Sequence, residues 1–231
     1  MTTLAIDRST DVLSAAVVRD GETLAAREFP SSNARSADWL AAVSAFLREA
    51  LSVPGGGPAA PFAAVDAFLA GTGPGSFAGV RAALAALRGL ALPGGKPVAG
   101  LPSPFAYTAE GRRTAVVGDA RRGRLWSILF DGPDVARGFA LAAPEETFAG
   151  IPPGCTVCTP DAARIGDALR GAFGPAFAGG GAPSAARLAE VAAIRPQAVS
   201  PNPLPVYLTP AVRPPEKPAQ QKGEDKCRLT S

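Results

Sequence analysis

Short apolar runs separated by turn residues open the chain. Thr3 to Ile6 and Val12 to Val18 are mostly apolar, and Asp20-Gly21 then marks a hairpin turn before the segment Glu22 to Phe29. Short runs bounded by such turns are typical of strands. The pattern therefore predicts three consecutive strands at the start of the protein.

Longer stretches follow in which apolar residues recur every three or four positions. Ser36 to Leu51 fits a helix capped by its first residue, and Phe77 to Leu92 fits a second helix that follows the Gly-rich turn Gly71 to Ser76. Two further strands are predicted, at Phe62 to Ala70 and at Pro97 to Gly100. The resulting order, βββαβαβ, is typical of a mixed sheet with helices on both faces, as in ribonuclease-H-like lobes.

A motif of the first strands recurs in the middle of the chain. Leu4-Ala5-Ile6-Asp7 leads through an apolar strand to Asp20-Gly21, and Val116-Val117-Gly118-Asp119 leads through another to Asp131-Gly132. Either two hairpins are similar by chance or a lobe has been duplicated. Duplication is the more economical account. It predicts an α/β protein with two ribonuclease-H-like lobes, each built from a mixed sheet with flanking helices.

The second half of the chain has thinner elements, so we expect its lobe to be degenerate. We place the first lobe at residues 1–105, the second at 106–212, and a disordered tail rich in Pro, Gln, Lys and Glu at 213–231. The elements predicted in the second lobe, besides its first hairpin, are strands at Arg137 to Leu141, Cys155 to Cys158 and Val206 to Leu208, a helical turn at Pro144 to Phe148, and helices at Asp161 to Leu169 and Ser184 to Ile194.

Charge argues against strong nucleic-acid binding by the body of this protein alone. The 231 residues carry 23 Lys and Arg against 20 Asp and Glu, and two of the three net positive charges lie in the tail from Arg213 onward. A surface that neutralises many phosphates needs a clear basic excess on its folded part. One local cluster is an exception, and it is either a solvated loop or a contact with nucleic acid: Arg112, Arg113, Arg121, Arg122 and Arg124.

The chain contains no histidine. Histidine is the commonest general base, the usual partner in a catalytic triad and the commonest metal ligand. Serine-protease-like, histidine–metal and zinc-protease mechanisms are therefore excluded. Any catalysis would have to use carboxylates, Lys, Arg, Ser or backbone dipoles.

The three cysteines are Cys155, Cys158 and Cys227. The first two form a CxxC within an apolar strand-like run, where they would face opposite sides, so we interpret them as ordinary thiols of a reducing compartment. We see neither a leading signal peptide nor an apolar run long enough to span a membrane. The expected location is the cytoplasm, with no membrane contact.

Two aspartates occupy equivalent places in the two proposed lobes. Asp7 and Asp119 end the first strand of each lobe, so facing lobes would bring both to one cleft, where actin-like ATPases hold magnesium and nucleotide phosphates. Such a site needs a Gly-rich turn after its first aspartate, whereas the turn Asp7-Arg8-Ser9-Thr10-Asp11 has no glycine and a bulky arginine. We favour an ordinary turn over a working phosphate loop, and we assign no catalytic or metal-binding residue. The candidate residual phosphate-loop positions are Asp7, Ser9, Thr10, Gly73, Gly75, Ser76 and Asp119.

The predicted helix Phe77 to Leu92 is apolar nearly all round. Its only charges are Arg81 and Arg88, and its start at the Gly-rich turn is either an anion site or a tight turn capped by Ser76. Its own sheet covers one side, so the second lobe or another chain must cover the other. We favour an interface with a partner protein. The candidate interface residues on the two first-lobe helices are Trp39, Val43, Phe46, Phe77, Arg81, Leu84, Ala85, Arg88 and Leu92.

Four segments taken together match one known family. They are Leu4 to Thr10, the turn-helix segment Gly73 to Arg81 continued at Arg88 to Ala91, Asp119 to Gly123, and Pro205 to Leu208. With these segments the chain resembles the TsaB family of bacterial tRNA threonylcarbamoyladenosine biosynthesis proteins, from about residue 2 to about residue 210. Of these four segments, the turn-helix that contains the sequence GPGSF is the most specific to the family.

The chain also departs from the family pattern. Arg35-Ser36 stands where the family often has His-Ser, and Arg8 and Ala78 stand where threonine is usual. The first change removes nothing catalytic from a scaffold. Arg8 further weakens any residual phosphate binding.

The resemblance implies an actin-like ATPase fold that has lost catalysis and serves as the obligatory partner of a related catalytic subunit, TsaD. In that family the two first-lobe helices pack on the same helices of the partner or of a second copy. The complex transfers a threonylcarbamoyl group to the adenine at position 37 of tRNA. Metal and substrate belong to TsaD, and a separate ATPase, TsaE, binds the pair.

We therefore expect a noncatalytic scaffold subunit that needs no cofactor. Its expected partners are a TsaD-like catalytic subunit and a TsaE-like ATPase, and it is expected to contact tRNA only as part of the complex. The alternative is an ATP-dependent phosphotransferase of the same fold that uses Asp7 and Asp119 to hold magnesium. A third hypothesis is a free-standing homodimer, formed through the same helices, with an unrelated binding role.

Overall fold

The computed structural model describes residues 1–29 and 38–208 and contains two five-stranded sheets. In the first sheet β1 pairs antiparallel with β2 and β2 with β3, while β1, β4 and β5 run parallel, so the spatial order is β3-β2-β1-β4-β5. Its strands are β1 (Thr2–Asp7), β2 (Leu13–Arg19), β3 (Glu22–Phe29), β4 (Ala67–Gly71) and β5 (Val98–Leu101).

The second sheet repeats this arrangement. Its first strand pairs antiparallel with its second and parallel with its fourth, and the order is β8-β7-β6-β9-β10 when it is read from the hairpin edge. The repeated topology confirms the predicted duplication and the two-lobed actin-like fold. The strands are β6 (Arg113–Arg121), β7 (Arg124–Asp131), β8 (Asp134–Ala142), β9 (Thr156–Thr159) and β10 (Phe177–Gly180).

Helices cover the outer faces of both sheets and fill the space between them. In the first lobe α1 and α3 pack on one face of the sheet, and in the second lobe α4 and α5 cover the corresponding outer face. None of the helices in the described residues is long and apolar enough to cross a membrane. The helices are α1 (Trp39–Ala50), α2 (Ala60–Ala63), α3 (Phe77–Ala91), α4 (Pro144–Ala149), α5 (Ala162–Phe173) and α6 (Ala185–Ile194).

Helix α6 lies between the two sheets and joins the lobes. Its buried residues share one core with Leu69 of the first sheet and with Val116 and Trp126 of the second. The hydroxyl of Ser14 accepts a hydrogen bond of 3.0 Å from the backbone N–H of Ala185, at the start of α6. The inner faces of both sheets are therefore buried in a continuous apolar layer.

Local sequence explains where the main helices begin and end. Ser76 caps α3, because its hydroxyl accepts a hydrogen bond from the backbone N–H of Gly79 at 3.1 Å, as predicted. Pro93 follows directly after Leu92 in a 3₁₀ turn and stops α3 at Ala91. Ser184 caps α6 in the same way, through the N–H of Arg187.

Two predicted strands are wrong in part or in whole. The strand predicted from Phe62 begins only at Ala67, because Pro61 starts the short helix α2, and Phe62 and Val65 then pack into the core with helical spacing. Val206 to Leu208 is not a strand, and the backbone N–H of Val206 donates instead to the carbonyl of Thr72. The predicted helix start at Ser36 and the predicted tail at 213–231 lie outside the described residues.

Candidate functional site

Asp7 ends β1 and has no exposed surface. Its Oδ1 accepts hydrogen bonds from the backbone N–H of Ser9 at 2.8 Å and from the Ser9 hydroxyl at 2.7 Å, and its Oδ2 accepts one from the hydroxyl of Ser103. Burial raises the pKa of Asp7 above its ordinary value, and the hydrogen bonds from Ser103 and Ser9 only partly oppose this shift. Protein groups thus satisfy both oxygens of the carboxyl group.

Neighbouring backbone closes over this carboxyl group. A Cβ atom added at Gly71 would lie 1.8 Å from Oδ2 of Asp7, so the carboxyl group occupies the space that a side chain on β4 would need. Ser103 and Gly73 form two hydrogen bonds, each of 2.9 Å. The Ser103 hydroxyl accepts one from the backbone N–H of Gly73, and the backbone N–H of Ser103 donates the other to the carbonyl of Gly73. Asp7 therefore ties together β1, the Gly-rich turn and the connection to the second lobe.

The Gly-rich turn before α3 is pressed directly onto the turn after Asp7. The backbone N–H of Ser76 donates to the carbonyl of Ser9 at 2.6 Å. A Cβ atom added at Gly75 would lie 2.1 Å from that carbonyl oxygen. A Cβ atom added at Gly79 would lie 2.2 Å from the carbonyl oxygen of Arg8. The two turns are in direct backbone contact and leave no room for a phosphate between them, which supports a tight turn capped by Ser76 over an anion site.

The remaining turn residues also have structural partners. The Thr10 hydroxyl donates to the carbonyl of Val12 at 2.9 Å and accepts from its N–H at 3.2 Å. Arg8 is buried, and its guanidinium lies 4.8 Å from the centre of the Trp39 ring. Burial lowers the pKa of Arg8. This arginine therefore packs against α1 of its own lobe.

Asp119 lies in β6, two residues before the strand ends at Arg121, whereas the repeat predicts it at the end of the strand. It is engaged in an ion-pair network. Its Oδ2 lies 2.9 Å from Nε of Arg164 and 3.5 Å from Nη1 of Arg121. Its backbone N–H donates to Asp161 at 2.8 Å, and burial raises the pKa of Asp161. The guanidinium groups of Arg164 and Arg121 thus balance the negative charge of Asp119, which would otherwise be available to a magnesium ion.

These residues do not fit a magnesium–nucleotide site. The carboxyl group of Asp7 is sealed by Ser9, Ser103 and Gly71, and Asp119 is paired with Arg164. A metal would have to displace several protein hydrogen bonds at once to reach Asp7. Across the described part of the chain, no three His, Cys, Asp or Glu side chains cluster in a way that could hold a metal ion.

The outward face of α3 presents a different kind of surface. Its inward residues, including Val80 and Leu87, pack on the first sheet. The exposed residues recur every three or four positions, so they form one stripe along the helix and its 3₁₀ extension. They are Phe77, Arg81, Ala85, Arg88 and Leu92, together with the small neighbours Ala78 and Gly89, and Phe77 is 44% and Leu92 79% exposed.

The chain segment 200–208 extends this stripe. Ser200 pairs with Gly100 at the free edge of the first sheet, and Nη2 of Arg88 donates to the carbonyl of Pro203. The Tyr207 ring lies 5.0 Å from the Phe77 ring, centre to centre. We call the whole surface the α3 patch, consisting of Phe77, Arg81, Ala85, Arg88, Leu92, Leu204 and Tyr207.

Four of the predicted interface residues lie in the core and not on the surface. The apolar stripe of α1 packs against the sheet, because a single amphipathic face serves burial within the lobe first. The exposed residues of α1 are Ala41, Ala45 and Glu49. The predicted interface residues that are buried within the chain are Trp39, Val43, Phe46 and Leu84.

The arginine cluster is also not a single surface in the structure. Arg113 begins β6 and Arg121 ends it, so the two are separated by nearly the full strand, roughly 26 Å. Arg112 lies beyond one end, whereas Arg122 and Arg124 lie in the hairpin at the other. These five arginines are close in sequence but do not form one basic surface in the structure.

The fold and the sealed aspartate define a class of protein: a two-lobed domain of the actin-like ATPase fold whose first-strand aspartate stabilises structure. Within this class the chain is similar to YeaZ from Pseudomonas aeruginosa, a protein also called TsaB, with a TM-score of 0.67 and 23% sequence identity over 89% of this chain and 100% of that one. It is equally similar to an uncharacterized protein "with similarity to peptidase YEAZ" from the same organism, with a TM-score of 0.67 and 23% identity over 90% and 99% of the two chains. No protein-family profile matches the sequence, and no curated protein matches it significantly.

Proposed function

We propose that this protein is a noncatalytic scaffold subunit of the complex that forms N6-threonylcarbamoyladenosine at position 37 of tRNA. In this proposal it heterodimerises with a TsaD-like catalytic subunit, and a TsaE-like ATPase binds the pair. The observation that carries the proposal is the α3 patch, where Phe77 and Leu92 stay exposed on a helix whose other face is packed. The likeness of the whole chain to YeaZ supports the same assignment.

The composition of the α3 patch supports a protein partner. Aromatic residues and arginine are enriched where proteins bind one another, and the patch has Phe77, Tyr207, Arg81 and Arg88. Complete burial of a large apolar side chain is worth roughly 1.5–3 kcal/mol relative to full exposure. Covering Phe77 and Leu92 would thus contribute to a stable complex, whereas leaving them in water contributes nothing.

The sealed aspartate supports a scaffold over an enzyme. In the phosphotransferase alternative Asp7 would need an open face for magnesium, and it has none. A scaffold needs only that the lobes hold their shape, and the bonds of Asp7 to Ser9 and Ser103 serve that purpose. In the proposed complex, metal, substrate and tRNA are handled with the partner subunit.

Reconstitution tests the proposal directly. A TsaD-like and a TsaE-like protein from the same genome would be combined with tRNA and threonylcarbamoyl-adenylate, with and without this chain, and the modified nucleoside measured by mass spectrometry. We expect product only when the chain is present, and a stable pair with the TsaD-like subunit on gel filtration. Arg81→Glu should weaken that pair, while Arg122→Glu, on the distant β6–β7 hairpin, should not. Product formation that ignores omission of the chain would contradict the proposal.

A further inference from the structure

The hairpin between β6 and β7 has arginine at positions where its backbone favours glycine or asparagine. Arg122 and Gly123 form the two-residue turn, with φ of 54° and 70°, and Arg121 precedes it with φ of 66°, where the pairing of the two strands shifts. A Cβ atom disfavours these left-handed values. The turn between β2 and β3 of the same chain has the favoured pair Asp20-Gly21. Backbone preference therefore does not explain the two arginines, and strain of this kind is common at functional sites.

The arginines of this hairpin point their charge outward. We call residues 120–124 the arginine tip, and its three arginines, Arg121, Arg122 and Arg124, are all exposed. The backbone N–H of Arg121 donates to Oδ1 of Asp119 at 2.7 Å, and Nη2 of Arg124 donates to the carbonyl of Leu141 at 2.7 Å. Within residues 1–29 and 38–208, Arg122 pairs with no carboxylate. The tip thus offers positioned guanidinium groups to an anion from outside the chain.

The charge at this end of β6 has a positive excess. Arg164 lies beside the tip, because its side chain pairs with both Asp119 and Asp161. Four guanidinium groups therefore stand against two carboxylates. Glu145 and Glu146, at the start of α4, pair with none of these arginines in the part of the chain that the structure describes. The surplus charge lies on the exposed tip and not on the partly buried aspartates below it.

The composition of the arginine tip favours a phosphate backbone over a protein surface. Protein interfaces have aromatic or large apolar residues at their centre, and the tip has only Ala120 and Gly123 besides its arginines. Contacts with phosphate groups need no apolar area, since a guanidinium group donates two parallel hydrogen bonds to the phosphate oxygens. A free nucleotide needs a concave site, whereas the tip is the end of a hairpin.

We infer that the arginine tip contacts the sugar-phosphate backbone of the tRNA that the complex modifies. The identity of this RNA rests on the proposed function, which by itself assigns the chain no contact with RNA. The body of the chain is nearly neutral, so the contact involves few phosphates. Contacts of this kind fix the position of an RNA and do not read its sequence.

The salt dependence of tRNA binding counts these contacts. Each phosphate contact adds roughly 0.7–0.9 to the slope of log K against log salt concentration. We would measure binding of tRNA to the pair of this chain and the TsaD-like subunit by filter binding, at several salt concentrations. Arg122→Ala should reduce the slope by roughly 0.7–0.9 and the affinity by about sixfold at 0.1 M salt relative to the effect at 1 M. The loss should be equal for tRNA species of different sequence.

Arg113→Ala is the matched control. It removes the same charge from an exposed residue of the same sequence cluster, at the opposite end of β6. The slope and the affinity should stay at the wild-type values. Arg122→Lys keeps the positive charge and should retain most of the slope.

Arg122→Gly separates loss of the contact from loss of the fold. Glycine removes the charge and adopts the left-handed turn without strain. This variant should therefore lose affinity for tRNA as Arg122→Ala does, while its urea denaturation midpoint rises above that of the wild type.

The outcomes separate this inference from the proposed function. An unchanged slope for Arg122→Ala, or an equal loss for Arg113→Ala, overturns the inference and leaves the proposed function standing. Tip variants that bind tRNA normally but bind the TsaE-like ATPase more weakly would make the tip a protein contact, which also overturns it. If the TsaD-like subunit does not bind the chain, the proposed function fails. The slopes are then measured on the chain alone at low salt, where binding of tRNA that depends on Arg122 and not on Arg113 upholds the phosphate contact, and its absence overturns it.

Discussion

The hydroxyl of Ser103 donates a hydrogen bond to the carboxyl group of Asp7, 96 residues earlier in the chain. This contact joins the end of the first strand to the 3₁₀ helix Ser103–Tyr107, through which the chain passes to the second lobe. In an actin-like ATPase fold the corresponding place belongs to metal and phosphate. Here the same position serves the stability of the first lobe and of its connection.

Replacing Asp7 with alanine should therefore destabilise the protein. The change leaves the hydroxyls of Ser9 and Ser103 without their buried acceptor, and an unsatisfied buried polar group costs about 1–3 kcal/mol. Urea denaturation of wild type and variant measures the difference in the free energy of unfolding. Asp131→Ala, at the exposed end of β7, is the control and should change little. A variant that keeps its stability but loses Mg-ATP binding would instead favour the phosphotransferase.

The raised pKa of Asp7 gives a signed dependence on pH. Its ordinary value is 3.8 and burial raises it, so the folded protein binds this proton more tightly than the unfolded chain does. The stabilising contribution is complete below pH 3.8 and is lost as pH rises through the higher folded pKa. The amide of an asparagine does not titrate, so the stability of wild type relative to the Asp7→Asn variant should fall as pH rises across this interval.

Equilibrium unfolding of both proteins at several pH values measures this difference. Asp161, whose pKa is also raised, is present in both and cancels in the comparison. If wild type gained on the variant as pH rose, hydrogen bonds to the charged form would outweigh burial. That result would contradict the assignment of burial as the main cause.

Much of the fold follows from local sequence signals. The hairpin at Asp20-Gly21, its repeat at Asp131-Gly132 and the cap at Ser76 are each a short-range feature, and each is found where the pattern placed it. Helix α2 was missed because the run from Phe62 to Ala70 is apolar except for Asp66. Such a run fits a buried strand and a buried helix equally well, and Pro61 was the signal that separates them.

The candidate site was less predictable because its contacts are distant in sequence. The pattern of α1 shows that Trp39 and Phe46 lie on one face, but it does not show whether that face meets the sheet or a partner. Tyr207 was recognised only as part of a motif, and its stacking on Phe77 depends on how the segment 200–208 crosses the sheet edge. The available signal was the Pro-rich sequence of that segment, in which Leu204 and Tyr207 lie among or next to the prolines.

Three glycines of the GPGSF helix region allow a matched test of the close contact between the two turns. At Gly79 an added Cβ would lie 2.2 Å from the backbone carbonyl of Arg8, so Gly79→Ala should destabilise by about 1–3 kcal/mol or more. Gly89, on the exposed side of the same helix, has nothing within 4 Å of an added Cβ. Gly89→Ala should therefore stabilise by about 0.5–1 kcal/mol through helix propensity.

Thermal and urea unfolding of both variants gives the comparison. Gly75→Ala, where the obstacle is the carbonyl oxygen of Ser9 at 2.1 Å, should behave like Gly79→Ala. Equal effects of Gly79→Ala and Gly89→Ala would mean that the turn after Asp7 does not press on α3. In that case the volume next to Asp7 would be open, and the argument against a bound phosphate would lose its main support.

Tyr207 should matter for the partner more than for the fold. Tyr207 is 45% exposed and its ring packs against Phe77 and Arg81 on the outer face of α3, so Tyr207→Ala should leave the free energy of unfolding nearly unchanged. It should weaken binding to the TsaD-like subunit by about 1–2 kcal/mol, as truncation of an aromatic anchor does. The loss has two sources, the ring itself and the freedom that Arg81 gains when one of its two aromatic neighbours is removed.

Leu24→Ala is the matched control, because Leu24 is 43% exposed on β3, at the opposite edge of the first sheet. It should leave partner binding unchanged, which shows that loss of an exposed apolar side chain is not enough. Tyr207→Phe should retain most of the affinity, since the hydroxyl is not needed to stack on Phe77 or on the guanidinium. If Tyr207→Ala and Leu24→Ala bound the partner equally well, the segment 200–208 would lie outside the interface. The partner would then be held by the α3 stripe alone.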